Sequence, residues 1–246
     1  MFPTTQWSLM AIASMNGDHA GQEALEELCR RYRAPVLAFF RSQVPAEDAE
    51  DAEDLTQIVF AYLVKHGLWR RADAEKGRFR SFLLIIARYA LSNWRRAART
   101  VARGNGVPLQ SLDQLMEQEQ EPPAPDQACL PFDYVWACAA VNAALQRLES
   151  DAAVTPGEAA RFPVLRRFLP GSSAPPTYEE AAVELGTPMN SIRTYVHRLR
   201  SDFRQALRSE IAQTLGSSED LDGEMAHLGR VLAGGEPGAA EKVGEF

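Results

Sequence analysis

The sequence lacks the features that would place it in a membrane, in a disulfide-stabilised scaffold or around a structural zinc ion. No apolar run among its 246 residues approaches the roughly 18 residues of a membrane-spanning helix, because the longest candidate, residues 82–87, ends at Arg88. The first residues carry neither a basic nor an apolar segment, which argues against a signal peptide. There is no CxxC pair and the four histidines are scattered, so neither a metal site nor a cofactor is expected. The odd number of cysteines favours a reducing compartment; they are Cys29, Cys129 and Cys138.

Acidic residues outnumber basic ones, and the two signs are concentrated in different segments. The formal net charge of −7 argues against a protein that coats nucleic acid non-specifically. Residues 78–103 nevertheless contain seven arginines and no acid, whereas residues 46–54 contain six acids and no base. Residues 113–126 and the segment after Gly216 are also acidic. This arrangement is typical of a protein that meets a polyanion at chosen surfaces only, although any single charge run is equally well explained as a solvated helix face.

Helical periodicity runs through most of the chain and is interrupted by stretches rich in proline and glycine. β-branched alternation is nearly absent, so the sequence predicts an all-α fold. We expect two helical domains, residues 1–103 and 132–215, joined by a flexible linker at 104–131 that holds five prolines. Residues 216–246 form an acidic C-terminal extension with one short amphipathic helix, whose apolar positions are Leu221, Met225, Leu228 and Leu232.

Two helices of the first domain carry distinct surfaces. One begins at the acidic run and has an apolar stripe at Ala52, Leu55, Val59 and Tyr62. The next, starting near Gly77, gathers apolar residues on one side and arginines on the other. The apolar set is Phe79, Leu83, Ile86, Ala90 and Ala97; the arginines are Arg88, Arg95, Arg99 and Arg103.

Arginine forks bind phosphates, and Tyr89 and Trp94 beside them either stack on exposed bases or belong to the core. Earlier in the chain, Pro35 is expected to break or kink the helical segment 22–41.

The second domain contains a helix-turn-helix candidate. Thr177 and Glu180 have capping-box spacing, Gly186 ends that helix, and Pro188 begins another. The second helix has an apolar face at Ile192, Val196, Leu199 and Phe203; its polar face shows Asn190, Arg193, Thr194, His197, Arg200 and Arg204. Such a polar face suits the edges of bases in a major groove, although basic amphipathic helices also occur in ordinary bundles.

Three ordered motifs carry a family resemblance: AEDLTQIVFAYLVKHGLW, GRFRSFLLIIARYALSNWRR and TYEEAAVELGTPMNSIRTYVHRLRSDFR. In this order, with a linker between the second and third, the chain resembles an extracytoplasmic-function (ECF) sigma factor of bacterial RNA polymerase over roughly residues 20–103 and 132–210. With TTQWS near the start and RSEIAQT after the last motif, it is similar to a group of such proteins associated with planctomycetes, here with a C-terminal extension.

The resemblance implies a cytoplasmic, non-enzymatic protein that recognises promoters together with core RNA polymerase. Its domains would be sigma region 2, which docks on the polymerase and melts the −10 element, and sigma region 4, which reads the −35 element. The implied partners are the β′ clamp helices and β flap of core polymerase, promoter DNA, and an anti-sigma factor or other regulator. The resemblance also places a loop that captures a flipped −10 base at residues 65–80.

The resemblance assigns site residues to three surfaces. Core-polymerase docking falls to Asp51, Asp54, Leu55 and Gln57. Binding of the −10 DNA falls to Arg78, Arg80, Arg88, Asn93, Trp94, Arg95, Arg96 and Arg99. Binding of the −35 DNA falls to Asn190, Ser191, Arg193, Thr194, His197, Arg198, Arg200 and Arg204.

Two segments depart from the family pattern, and two other classes of function stay open. Residues 149–176 stretch the region before the helix-turn-helix and bring an apolar set of their own; the extension after Gly216 either folds back on a domain, recruits a regulator or frays. The first alternative is a stand-alone helix-turn-helix regulator, which would bind duplex DNA unaided. The second, an enzyme of the helical-bundle type, is disfavoured because no catalytic triad, phosphate loop or metal motif is visible.

Overall fold

The computed structural model describes residues 19–66, 79–101, 130–172, 174–215 and 221–234. These residues form eight α-helices and one short 3-10 turn and contain no strand, which confirms the all-α prediction. The elements are α1 (His19–Gln43), the 3-10 turn (Ala46–Asp48), α2 (Ala49–His66), α3 (Phe79–Val101), α4 (Leu130–Ala153), α5 (Pro156–Arg166), α6 (Tyr178–Leu185), α7 (Met189–Ala212) and α8 (Leu221–Gly234).

The chain divides into two compact units, one formed by residues 1–137 and 213–246 and the other by residues 138–212. This division differs from the predicted domains in two respects. The start of α4, up to Ala137, belongs to the first unit, and so does the C-terminal helix α8. The proline-rich linker marks where helical periodicity stops, whereas the boundary between units depends on which apolar residues are buried together, including Phe132 and Trp136 at the start of α4.

In the first unit, α1, α2 and α3 pack against one another around an aromatic core. The ring of Tyr32 on α1 meets that of Phe79 on α3 edge to face, with centroids 5.1 Å apart. Arg33 and Arg41 of α1 both pair with Glu53 of α2, at 2.7 Å and 3.0 Å. These exposed pairs add little stability, so apolar burial holds the three helices together. The buried residues at its centre include Val36, Phe39, Phe40, Val59, Leu83 and Ile86.

Helix α1 continues through Pro35, so of the expected break or kink the break does not occur. A proline inside a helix costs about 3 kcal/mol, because one backbone hydrogen bond is lost and the ring crowds the preceding turn. Pro35 is buried, and Tyr32, Val36 and Phe39 around it are almost fully buried as well. Burying each large apolar side chain contributes about 1.5–3 kcal/mol, which is enough to offset the cost of the proline.

The second unit is built around α6 and α7, the two helices that the sequence predicts as a helix-turn-helix candidate. Val164 and Leu165 of α5, with Phe168 just after it, share a buried cluster with residues of α6 and α7. Phe168 also stacks on Tyr178, with ring centroids 5.3 Å apart. Residues 149–176, which depart from the family pattern, therefore supply one side of the core on which the helix-turn-helix rests. The α6 and α7 members of the cluster are Ala181, Ile192 and Val196.

Candidate nucleic-acid interface

Helix α2 presents an exposed acidic face next to its buried stripe. Asp54 and Gln57 are exposed, and Asp51 is half-buried. Leu55 is only 3% exposed, so the structure places it in the core and not on the docking surface that the sequence assigned. The reason is its position on the same apolar stripe as Ala52 and Val59, both of which are fully buried.

Ile58 is an exposed apolar residue of this helix that the sequence interpretation missed. It is 49% exposed and lies one turn after Asp54, on the same face. Its signal in the sequence is an isoleucine that falls outside the periodic apolar stripe. An apolar side chain among exposed acids gives this face both charge and a hydrophobic contact to offer a protein partner.

A hydrogen bond connects this acidic face to the cationic helix α3. The indole Nε1 of Trp94 donates to Oδ2 of Asp51 over 3.2 Å. Trp94 and Tyr89 are both half-buried, which leaves part of each ring at the surface. Asp51 and Trp94, assigned to two different binding surfaces, are thus direct neighbours.

The predicted −10 residues on α3 divide into an exposed group and a buried group. Arg95 and Arg96 are exposed and Arg88 is half-buried. The guanidinium of Arg95 donates to the backbone oxygen and to Oε1 of Gln43, both at 3.2 Å. These contacts fix the side chain at the carboxyl end of α1 without neutralising its charge. This helix therefore has a cationic surface at exposed Arg95 and Arg96, with half-buried Arg88 beside them.

Arg80 and Asn93, by contrast, are buried, so they are not part of this exposed cationic surface. Asn93 is 8% exposed because it continues the apolar side of α3 that contains Ile86 and Ala90. Arg80 is 6% exposed and is paired with Asp133 and Glu224, two acids from distant parts of the chain.

Two other predicted −10 residues cannot be placed on this surface. Arg78 lies outside the described residues, and so does the side chain of Arg99.

The predicted start and end of α6 are both confirmed. The hydroxyl of Thr177 accepts from the backbone N–H of Glu180 at 3.2 Å, and the Glu180 carboxylate accepts from the backbone N–H of Thr177 at 2.8 Å. The bond from the Thr177 backbone N–H, and after it the Thr177 side chain, hold the pKa of Glu180 below its ordinary value. Gly186 ends α6 in the left-handed conformation, with φ of 58°, which glycine adopts without steric cost.

The predicted −35 residues line the outer side of α7, and all of them are exposed except Ser191, which is half-buried. Arg193 lies near Tyr178, with its guanidinium 5.9 Å from the ring centroid. Arg198 faces Asp202 one turn along at 3.9 Å, an exposed pair that holds it only weakly. The surface therefore offers hydrogen-bonding and cationic groups along α7, namely Asn190, Arg193, Thr194, His197, Arg198, Arg200 and Arg204.

A cationic cleft of about 430 Å³ opens beside this surface. Arg167 contributes to it from the segment after α5, together with Arg200 and Arg204 of α7. Arg200 also donates to the backbone oxygen of Phe168 at 3.4 Å, and Arg167 pairs with Glu184 at 2.8 Å. The sequence interpretation missed Arg167, whose only signal is the LRRF run inside the inserted segment.

No cluster of metal-binding side chains occurs in the described part of the chain. Within residues 19–66, 79–101, 130–172, 174–215 and 221–234, no three histidine, cysteine or acidic side chains come together in a way that could hold a metal ion. Among the helices described there, none is both long and apolar enough to cross a membrane.

The part of the chain that matches a known family contains α2, with its acidic face, and α3, with its cationic surface. Residues 28–100 match the family model of Sigma-70 region 2. This match supports a sigma factor of the sigma-70 family. It covers less than a third of the 246 residues, running from α1 to the end of α3. No curated protein and no solved structure matches the chain.

The sigma-70 region 2 match contains α2 with Asp54 and Ile58, and α3 with Arg95 and Arg96. Helices α6 and α7, the helix-turn-helix candidate, lie outside the matched residues.

Proposed function

We propose that this protein is a cytoplasmic sigma factor of the ECF type, which binds core RNA polymerase and directs promoter recognition and melting without catalysis of its own. The observation that carries the proposal is the sigma-70 region 2 match over residues 28–100. The matched residues include α2, with its acidic face, and the cationic helix α3 that packs against it. In the proposal, the exposed face of α2, with Asp54, Gln57 and Ile58, docks on the polymerase.

The charge distribution supports different partners for the two helices, the polymerase for α2 and DNA for α3. Helix α3 contains no acid, and its exposed Arg95 and Arg96 attract the phosphates of a melted strand. Asp54 on α2 repels DNA and favours a basic protein surface instead. Since the whole chain carries −7, binding to DNA is weak until the polymerase holds the cationic surface against it.

The exposed face of α7 supports reading of a second promoter element. Its N-terminal half offers Asn190, Arg193 and His197, whose donors and acceptors suit base edges in the major groove. The cleft formed by Arg167, Arg200 and Arg204 lies beside that half and suits backbone phosphates, which position a protein on DNA. This division between base contacts and phosphate contacts is what a recognition helix requires.

The test is whether the full chain gives core RNA polymerase a promoter specificity. We expect transcription from discrete start sites on genomic DNA when the protein is added to core enzyme, and little binding to the same promoter duplexes in its absence. Asp54→Lys combined with Ile58→Ala should abolish co-purification with core. Glu149→Lys, at an exposed acid of the other unit, is the charge control and should leave co-purification intact.

The opposite pattern would favour the stand-alone regulator. In that case the protein would bind duplex DNA tightly by itself, and the α2 double variant would leave transcription by the polymerase unchanged.

A further inference from the structure

The C-terminal helix α8 buries a carboxylate against the rest of the first unit. Glu224 is fully buried, and Leu228 and Val231 beside it are 3% and 7% exposed. The buried face of α8 therefore contains a charged residue. It is rotated around the helix axis from the apolar stripe that the sequence predicts, and the two faces share Leu228. The apolar residues Leu221, Met225 and Leu232 are only half-buried.

The partner of Glu224 is Arg80, at the start of the cationic helix α3. Their side chains form a direct ion pair, although the two residues lie 144 positions apart in the chain. Arg80 Nε also lies 3.6 Å from Oδ1 of Asp133, and its guanidinium is 4.5 Å from the ring centroid of Trp136. Asp133 in turn faces His227 of α8, with 3.3 Å between Oδ2 and Nε2. We call Arg80, Asp133, Trp136, Glu224 and His227 the Arg80 cluster.

A buried ionic cluster is not needed if α8 serves only to stabilise the first unit. Ions lose their hydration on burial, and apolar side chains of similar size often give equal or greater stability. What an ion pair does provide is specificity and a contact that another charged partner can replace. Arg80 is one of the seven arginines in the acid-free stretch of residues 78–103, and a DNA phosphate offers its guanidinium a bidentate partner comparable to Glu224.

We propose that α8 is an autoinhibitory element that withdraws Arg80 into the Arg80 cluster, and that displacement of α8 releases Arg80 to bind a phosphate of the DNA strand on α3. This inference rests on the proposed function, in which α3 binds DNA. In the closed form the carboxylate of Glu224 occupies the position of the phosphate. Any partner that binds α8 only when it is displaced shifts the protein towards the DNA-binding form.

The test compares two charge reversals on α8 in the full chain. Glu224→Lys places a cation against Arg80 and should displace α8. Asp222→Lys makes the same change in net charge at an exposed position two residues away and should leave α8 in place. Release is measured directly as the reactivity of Arg80 towards phenylglyoxal, mapped by mass spectrometry. Its consequence is measured as the affinity for a mixed-sequence single-stranded oligonucleotide.

We expect Glu224→Lys to expose Arg80 to the reagent and to raise the affinity about tenfold above that of Asp222→Lys, the effect of one charge-assisted contact. Adding Arg80→Ala to Glu224→Lys should remove that gain. Leu228→Ala, which weakens the docking of α8 without changing any charge, should act in the same direction to a smaller extent. If circular dichroism shows that Glu224→Lys unfolds the protein, Leu228→Ala takes its place as the test of the proposal.

The two readouts separate this inference from the function on which it rests. If Arg80 reacts equally in wild type, Glu224→Lys and Leu228→Ala, α8 does not cover it and the inference is wrong, whatever the protein does. If Arg80 becomes reactive while the affinity stays at the level of Asp222→Lys, Arg80 is not a DNA ligand and α8 is not inhibitory. Failure of the proposed function itself would appear separately, as no promoter-specific transcription with core polymerase.

Discussion

Helices α3 and α7 have similar sequence signatures and different surroundings. Each has an apolar side and a cationic side, and the family resemblance assigns residues of each to DNA. On α7 the cationic side is open, and its acid partner is a weak local one at Asp202. On α3, Arg80 is enclosed by acids from α4 and α8, and Trp94 is tied to Asp51 of α2. Periodicity identifies the face of a helix, but the rest of the chain decides whether that face is open to a ligand.

The largest expected effect comes from reversing the open part of α3. Arg88→Glu, Arg95→Glu and Arg96→Glu combined should abolish open-complex formation, because three anions would repel the melted strand. Binding to core polymerase, assigned to α2, should remain. Permanganate reactivity of promoter thymines measures melting, and co-purification measures core binding.

A control with the same change in net charge is available at exposed arginines of other helices: Arg30, Arg147 and Arg230. Reversing these three should leave melting largely intact. If the α3 variant lost core binding instead, the cationic face of α3 would be a protein-docking surface, and the distinction between α2 and α3 would fail.

The contrast between α3 and α7 also shows what sequence could and could not predict. The capping box at Thr177 and the left-handed Gly186 follow from local chemistry within a few residues, and the structure confirms both. The partner of Arg80 could not be predicted, because it lies 144 residues away and is an acid in a helix whose leucines dominate the pattern. The continuity of α1 through Pro35 depends on burial in the folded core, which overrides the local preference of proline.

A smaller effect is expected at the open surface of α7. Arg193→Ala with His197→Ala should weaken dependence on the upstream promoter element by about 1–3 kcal/mol for each base that is no longer recognised. The measurement is transcription from promoters with intact and scrambled upstream elements. Arg208→Ala, at an exposed site near the far end of the same helix, is the control and should leave that dependence unchanged. Equal sensitivity to scrambling in the variant and the wild type would show that the open face of α7 does not read sequence.

The smallest effect tests whether the open face of α7 depends on the local capping of α6. Thr177→Ala removes the hydroxyl that accepts from the Glu180 N–H and should destabilise α6 by about 1 kcal/mol at neutral pH. Hydrogen exchange of the α6 amides measures this cost in the full chain. Ser150→Ala is the control: Ser150 lies at an exposed position of α4, its hydroxyl donates to the backbone oxygen of Gln146, and its loss should leave exchange in α6 unchanged.

The capping box should also make α6 sensitive to acid. The bonds from Thr177 lower the pKa of Glu180 in the folded state, so its contribution is complete above the ordinary value of 4.5 and is lost as the pH falls through the lower folded value. Glu180→Gln removes the titrating group, and exchange in α6 should then show less dependence on pH in that range than in the wild type. If acid raised the exchange rate of the α6 amides equally in both proteins, the acid sensitivity would arise elsewhere in the second unit. The capping box would then not be what stabilises α6.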